Sequence, residues 1–212
     1  YATLASDGSV RAIYAVNHFT IIKAGSITDY GDYTLVKNLT DTTQLTQNGD
    51  AVTVQTNAEN FFYQGNMATK ELPWIFDILH SLDGVRTAPQ ELAGKSGKIE
   101  IHITTKQNAA VNPAFYENYI LQISITLDTE KCSDIKAPGA TVASAGKNKI
   151  IAYTVMPGKD ADISLSAVVR DFAMTGIDIS AMPFSMNMEL PDTDSMINDF
   201  TELSDAISDL ND

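Results

Sequence analysis

Few residues of this chain have the types and spacing to do chemistry, and the first to weigh is Gly94-Lys95-Ser96, which matches the end of a phosphate-binding loop. Such a loop requires G-x-x-x-x-G-K-[ST] between a strand and a helix, so that backbone N–H groups and a helix N-terminus face the phosphates. Here Pro89 holds the first glycine position, and strand-like text follows. Ile99, Ile101 and Ile103 alternate with Glu100, His102 and Thr104, the period of a half-buried strand. Gly94 and Gly97 are therefore expected in a turn, Asp83-Gly84 in another, and Pro89–Leu92 in at most one helical turn.

The other reactive side chains are scattered. His18, His80 and His102 lie far apart in strand-like text and are not expected to converge; His80 reads as a satisfied histidine at a strand end. Asp160 with Asp162, and Asp29 with Asp32, fall short of the roughly six to eight oxygens calcium needs, so they read as solvated turn carboxylates. Cys132 is the only cysteine, which excludes an internal disulfide, and it stands in no nucleophile motif; an unreactive thiol, or a harmless one in a loop, is expected. Zinc-protease spacing, paired C-x-x-C, G-x-S-x-G and an EF-hand loop are all missing. No catalytic residue, cofactor site or metal site is expected. For ligand contact the aromatics come first: Tyr30, Tyr33, Phe61, Phe62 and Tyr63, then Tyr116 and Tyr119, which offer rigid area at low entropic cost. The competing reading for Tyr30-Gly31-Asp32-Tyr33 is packing over a sheet edge.

Composition narrows the classes. The 212 residues suffice for one large domain or two ordinary ones, and 44% hydrophobic with 19% charged residues is the balance of a globular chain. A net charge of −13 argues against nucleic acid as a partner and against electrostatic docking on an anionic membrane. No apolar run is long enough to span a bilayer. The sequence starts at Tyr1 without Met and stops within a heptad pattern, so an N-terminal signal and a C-terminal continuation are expected to have been removed.

The elements that must carry these residues read as strands. Asp7-Gly8 separates Tyr1–Ala5 from Val10–Ile22, and Asn48-Gly49-Asp50 leads into Ala51–Thr56, both hairpin signals. Phe61–Gly65 is a short aromatic strand, and Pro73–His80 sets Trp74, Phe76, Ile78 and His80 on one face, expected to fill the core of the first half. A long strand from Tyr116 to Asp128 has Leu121, Ile123, Ile125 and Leu127 inward. Thr129–Ala140 reads as a linking region; Ala145–Asn148 turns into Lys149–Met156, and Pro157-Gly158 turns into Asp162–Phe172. A last strand is expected at Phe184–Leu190, with Phe184, Met186, Met188 and Leu190 as core rather than a metal-binding thioether stripe. The expected fold is all-β: antiparallel, immunoglobulin-like sandwich lobes, two of them, at residues 1–95 and 96–190, dividing near 94–98.

From residue 191 the period changes. Met196, Phe200, Leu203, Ile207 and Leu210 follow the a/d spacing of a coiled-coil seam, and every charge from Glu189 to Asp212 is acidic, eight in all. Residues 191–212 are expected to form a C-terminal amphipathic helix. One reading makes it the first turns of a stalk, with a route to self-association; the other packs it on the last sandwich.

Four stretches carry a resemblance: Ile27-Thr28-Asp29-Tyr30-Gly31-Asp32-Tyr33, the run Glu91–Ile101, Phe115-Tyr116-Glu117-Asn118-Tyr119, and Met156–Asp162. In them the chain resembles the extracellular part of heptad-repeat surface proteins of Gram-positive gut bacteria, similar to the phage-infection-protein group. The resemblance implies an outer domain at the cell surface, followed by heptad repeats and a membrane anchor outside this stretch. It transfers no site residues. The function expected is a non-enzymatic extracellular module for adhesion or display, with a glycan, a protein or a phage component as surface ligand. A carbohydrate-binding module or an unrecognised hydrolase is the alternative, the latter requiring two carboxylates facing each other across a cleft.

Overall fold

The computed structural model describes residues 1–184 and is all-β and antiparallel. In the first third, strands β1 (Ala2–Leu4), β2 (Val10–Thr20), β3 (Gly25–Tyr30), β4 (Tyr33–Asn38), β5 (Thr46–Asn48), β6 (Ala51–Thr56) and β7 (Asn60–Met67) form two sheets, β1-β2-β7-β4 and β3-β6-β5. Alternation decides what each face does. On β7, Phe61 and Tyr63 point inward opposite Phe19 and Asn17 of β2, while Phe62 points outward opposite His18. Val52 and Val54 of β6 meet Phe61 and Tyr63 to make a small core, walled by Phe19, Ile21, Ile27, Tyr33, Val36 and Leu45.

The second body of strands is larger. It comprises β8 (Trp74–Leu82), β9 (Val85–Arg86), β10 (Gly97–Gln107), β11 (Tyr119–Asp128), β12 (Cys132–Lys136), β13 (Thr141–Ala145), β14 (Asn148–Val155), β15 (Ala161–Val169) and β16 (Ile177–Pro183). Single helical turns, α1 (Pro89–Leu92) and α2 (Ala114–Asn118), interrupt them. The sheets run β12-β15-β10-β8-β9 and β13-β14-β11-β16. Register brings like faces together: Ile101 lies between Leu165 and His80, Ile103 between Ile163 and Ile78, and Ile123 between Tyr153 and Ile179. Apolar residues at every second position of β8, β10, β11, β14 and β15 thus fall on the two inner faces and form one core. The two turns with a Gly-Lys pair, Leu92–Gly97 and Met156–Ala161, feed strands β10 and β15, which pair from Gly97↔Val169 to Thr105↔Ala161.

Four expectations need correction. The division near 94–98 does not hold, because β8 and β10 pair from Leu82↔Ile99 to Trp74↔Gln107 in one sheet; the change of core falls between β7 and β8. Trp74, Phe76 and Ile78 accordingly belong to the second core, not the first. The linking region at Thr129–Ala140 contains β12, held by the Cys132↔Val169 pair, and Tyr116–Asn118 are helical rather than the start of β11. The last described strand is β16, at Ile177–Pro183; the strand expected at Phe184–Leu190 and the heptad helix lie almost wholly outside the described residues. Among the described residues no helix is long and apolar enough to cross a membrane.

The hairpin between β1 and β2 reaches the larger body. The Asp7 carbonyl accepts from the Ile78 N–H at 3.0 Å, so the turn covers part of the β8 edge. Gly8 sits at φ +93°, and a Cβ there would lie 2.4 Å from the Phe76 carbonyl oxygen, so glycine is required for both conformation and space.

Candidate functional site

The seven candidate aromatics do not form one surface. Phe61, Tyr63 and Tyr116 are buried, and Tyr33 and Tyr119 pack against the cores. Tyr33 is placed by two glycines: a Cβ at Gly31 or at Gly65 would fall within 2.4 Å of its ring, so the ring lies over both. It meets Tyr63 edge-on at 6.1 Å, and its hydroxyl accepts from Asn17 Nδ2 at 3.0 Å. Tyr63 donates to Asp29 Oδ2 at 2.5 Å, a bond joining the two sheets of the small unit; burial, then this bond, raise the Tyr63 pKa. Tyr116 donates to Asp160 Oδ1 at 2.8 Å, and burial with that bond pushes its pKa up to about 12. These rings are structural. Tyr30 and Phe62 are the two that remain exposed.

Phe62 belongs to a patch. It stacks on His18 with ring centroids 4.3 Å apart and planes 6° from parallel, and His18 Nε2 lies 3.0 Å from Asn60 Oδ1. Along the same outer face, β2 presents Val16 and Tyr14 opposite Gln64 and Asn66, whose amides bond to each other at 2.7 Å. Leu35 and Lys37 of β4 flank them. Tyr14 and His18 are four residues apart, about 13 Å along the strand. The result is a sheet face carrying aromatic rings and planar amides, with only one charged side chain, Lys37, among these residues. Period-2 alternation in Phe61-Phe62-Tyr63 is a sequence signal that separates Phe62 from its buried neighbours; His18 became part of the patch only through the β2–β7 register.

The remaining chemical candidates disperse. Gly94-Lys95-Ser96 closes on residues 171–172: Gly94 N–H donates to the Phe172 carbonyl, Phe172 N–H to the Lys95 carbonyl, and Asp171 N–H to Ser96 Oγ. The loop leads into β10, as a turn should. His102 stands on the outer face of β10, its Nε2 2.6 Å from Asp162 Oδ1, and His80 on the inner face of β8. Asp29 and Asp160 each accept a tyrosine hydroxyl, and among the described residues no three His, Cys, Asp or Glu side chains cluster as metal ligands. The Cys132 thiol is buried in the large core, and burial pushes its pKa up.

A concave feature lies on the open side of the large sandwich. Between the inward residues of β8, the edge strand β16 and the N-terminal strand β1 is a cavity of about 1110 Å³. Its walls include Trp74, Phe76, Ile78 and His80 on one side and Ile177 and Ile179 on the other. His80 lines it: the residue is only 6% exposed, no hydrogen bond among the described residues reaches its ring, its ring nitrogens are not fully enclosed, and burial lowers its pKa. No protein-family model matches the chain, and no curated protein matches it.

Proposed function

We propose that this chain is a non-enzymatic recognition module of an extracellular bacterial surface, in keeping with the proteins its sequence resembles, and that it binds glycans through the outer face of the sheet β1-β2-β7-β4. The observation that carries this reading is the exposed, parallel His18–Phe62 stack beside the Gln64–Asn66 amide pair. A sugar ring offers an apolar C–H face and a rim of hydroxyls; rings take the first and planar amides the second. The acidic chain suits a neutral ligand better than a polyanion. A rigid sheet also holds these groups in place without ordering cost at binding. The display role, with a stalk leading to a membrane anchor, rests on the resemblance and on the heptads beyond residue 191.

A glycan array probed with the wild-type chain and with Phe62→Ala is the test. Binding to a restricted set of neutral glycans, abolished in Phe62→Ala while the fold is retained by circular dichroism, is expected. Binding that survives Phe62→Ala unchanged moves the site off this face; an array with no signal removes the glycan reading.

A further inference from the structure

We propose that the cavity between β8, β16 and β1 is a binding site for an uncharged amphiphile, an acyl or similarly elongated apolar body ending in a hydroxyl or carbonyl that hydrogen-bonds to His80. The site is separate from the proposed glycan face and does not depend on it.

Three observations converge. At about 1110 Å³ the cavity exceeds the roughly 300–1,000 Å³ typical of small-molecule pockets, so it has room for a chain and a head group together. Its walls are mostly apolar: Trp74, Phe76 and Ile78 face Ile177 and Ile179 across the gap between the two sheets. Among the described residues no strand pairs with β16 on the side away from β11, and the core side of β8 and β16 faces the gap. Into this apolar space His80 brings an imidazole that takes no hydrogen bond from the described residues. It lies opposite Ile101 on the inner face, and only Thr105 Oγ1 is both fully enclosed and unpartnered among the described residues, so the His80 ring nitrogens open onto the cavity. A ligand hydroxyl or carbonyl there takes the place of water on an imidazole held in an otherwise apolar wall.

The head group must be uncharged. No lysine or arginine lines the cavity, its one carboxylate is Asp178, and the chain as a whole carries −13. An anionic head would meet no lysine or arginine and the repulsive field of an acidic chain. A neutral imidazole, by contrast, can either donate to a carbonyl or accept from a hydroxyl.

Trp74 is the only tryptophan of the chain and lines the cavity, so its emission reports occupancy directly. The chain is titrated with 1-dodecanol, monolaurin, dodecane and dodecanoate, each below its aggregation limit, with Trp74 fluorescence and thermal melting as readouts. Saturable one-site binding of dodecanol and monolaurin is expected, with a rise in melting temperature. His80→Leu should weaken dodecanol about fivefold to tenfold, the loss of one hydrogen bond, and leave dodecane unchanged. Ile179→Phe, which narrows the opposite wall, should weaken every probe. The proposal is overturned if no probe gives a saturable change, if His80→Leu binds dodecanol as tightly as the wild type, or if dodecanoate binds more tightly than dodecanol.

Discussion

The two bodies of strands solve the same problem with unequal means. Among the described residues the larger buries twenty-one side chains in one cluster, most of them Ile, Leu, Val or aromatic residues at every second position of long strands. The smaller buries four, Val52, Val54, Phe61 and Tyr63. Hydrophobic burial scales with area, so the larger body can stand on packing alone, whereas the smaller must add directional ties. It has them: Tyr33 lies over Gly31 and Gly65, and the Tyr63 hydroxyl bonds to Asp29 across the sheets. The difference bears on function, because the proposed glycan face lies on the weaker body and the proposed amphiphile cavity on the open side of the stronger one.

The largest effect should come from cutting each core in turn. Ile123, fully enclosed between Tyr153 and Ile179, should cost about 2–5 kcal/mol on truncation to Ala. Val54→Ala in the small core should cost roughly 1.5–3 kcal/mol. The single tryptophan makes the two separable, since Trp74 reports the larger body only. In urea, Ile123→Ala should shift the Trp74 transition, while Val54→Ala should shift an earlier transition seen by far-UV circular dichroism and leave Trp74 in place. Coincident transitions for both variants would mean that the two cores unfold as one unit and would break the comparison.

Gly8→Ala probes the seam between the bodies. A side chain there is strained at φ +93° and collides with the Phe76 carbonyl, at a cost on the order of 1–3 kcal/mol. The turn should lift from β8 and release the Ile78 N–H from the Asp7 carbonyl. Hydrogen exchange should then be faster at Ile78 with little change at Ile123; unaltered protection at Ile78 would show that the turn finds another seat.

Alkaline pH should sharpen the contrast further. Tyr116 has a folded-state pKa of about 12 against an ordinary value near 10.0, so the folded state holds its proton more tightly than the unfolded state. Its contribution is fully present below pH 10 and is lost as pH rises from there through 12. Tyr63 is raised in the same direction, so its contribution is also lost upward from about pH 10. Melting followed between pH 8 and 12 should show a shallower alkaline decline of the Trp74 transition in Tyr116→Phe, and of the earlier transition in Tyr63→Phe. Equal slopes in variant and wild type would deny those hydroxyls the roles their bonds imply.

How much of this was legible depends on what kind of fact each was. Strands with strict alternation could be read with their inward faces, because Ile99-Ile101-Ile103 and Leu121 to Leu127 have no other way to bury their apolar halves. The short strands were not legible. Thr141–Ala145 is exposed along its whole length and carries no pattern, and Cys132–Lys136 has only Cys132 buried. The change of core was misplaced because β8 and β10 are joined by a register across a turn-rich stretch, and pairing leaves no mark on composition. The candidate aromatics show the same divide: Phe62 outside and Phe61 inside follows from period two, whereas His18 stacking on Phe62 is a fact of the β2–β7 register.

The smallest predicted effect has the opposite sign to the others. Thr105 is fully buried on the inner face of β10, opposite Phe76 and Ala161, and its Oγ1 has no hydrogen-bond partner among the described residues. A hydroxyl enclosed without a partner has lost its water and gained nothing in return. Valine keeps the β-branched shape that suits a strand and replaces the hydroxyl by a methyl of similar size, so the site needs no repacking. Thr105→Val should therefore stabilise the larger body by about 1 kcal/mol, the lower end of the desolvation cost of an unpaired polar group. The gain should appear as a higher urea midpoint in the Trp74 transition, with the earlier transition unmoved. A destabilised Thr105→Val would show that the hydroxyl is satisfied in solution, by a buried water for instance, and that the larger core is held by more than packing.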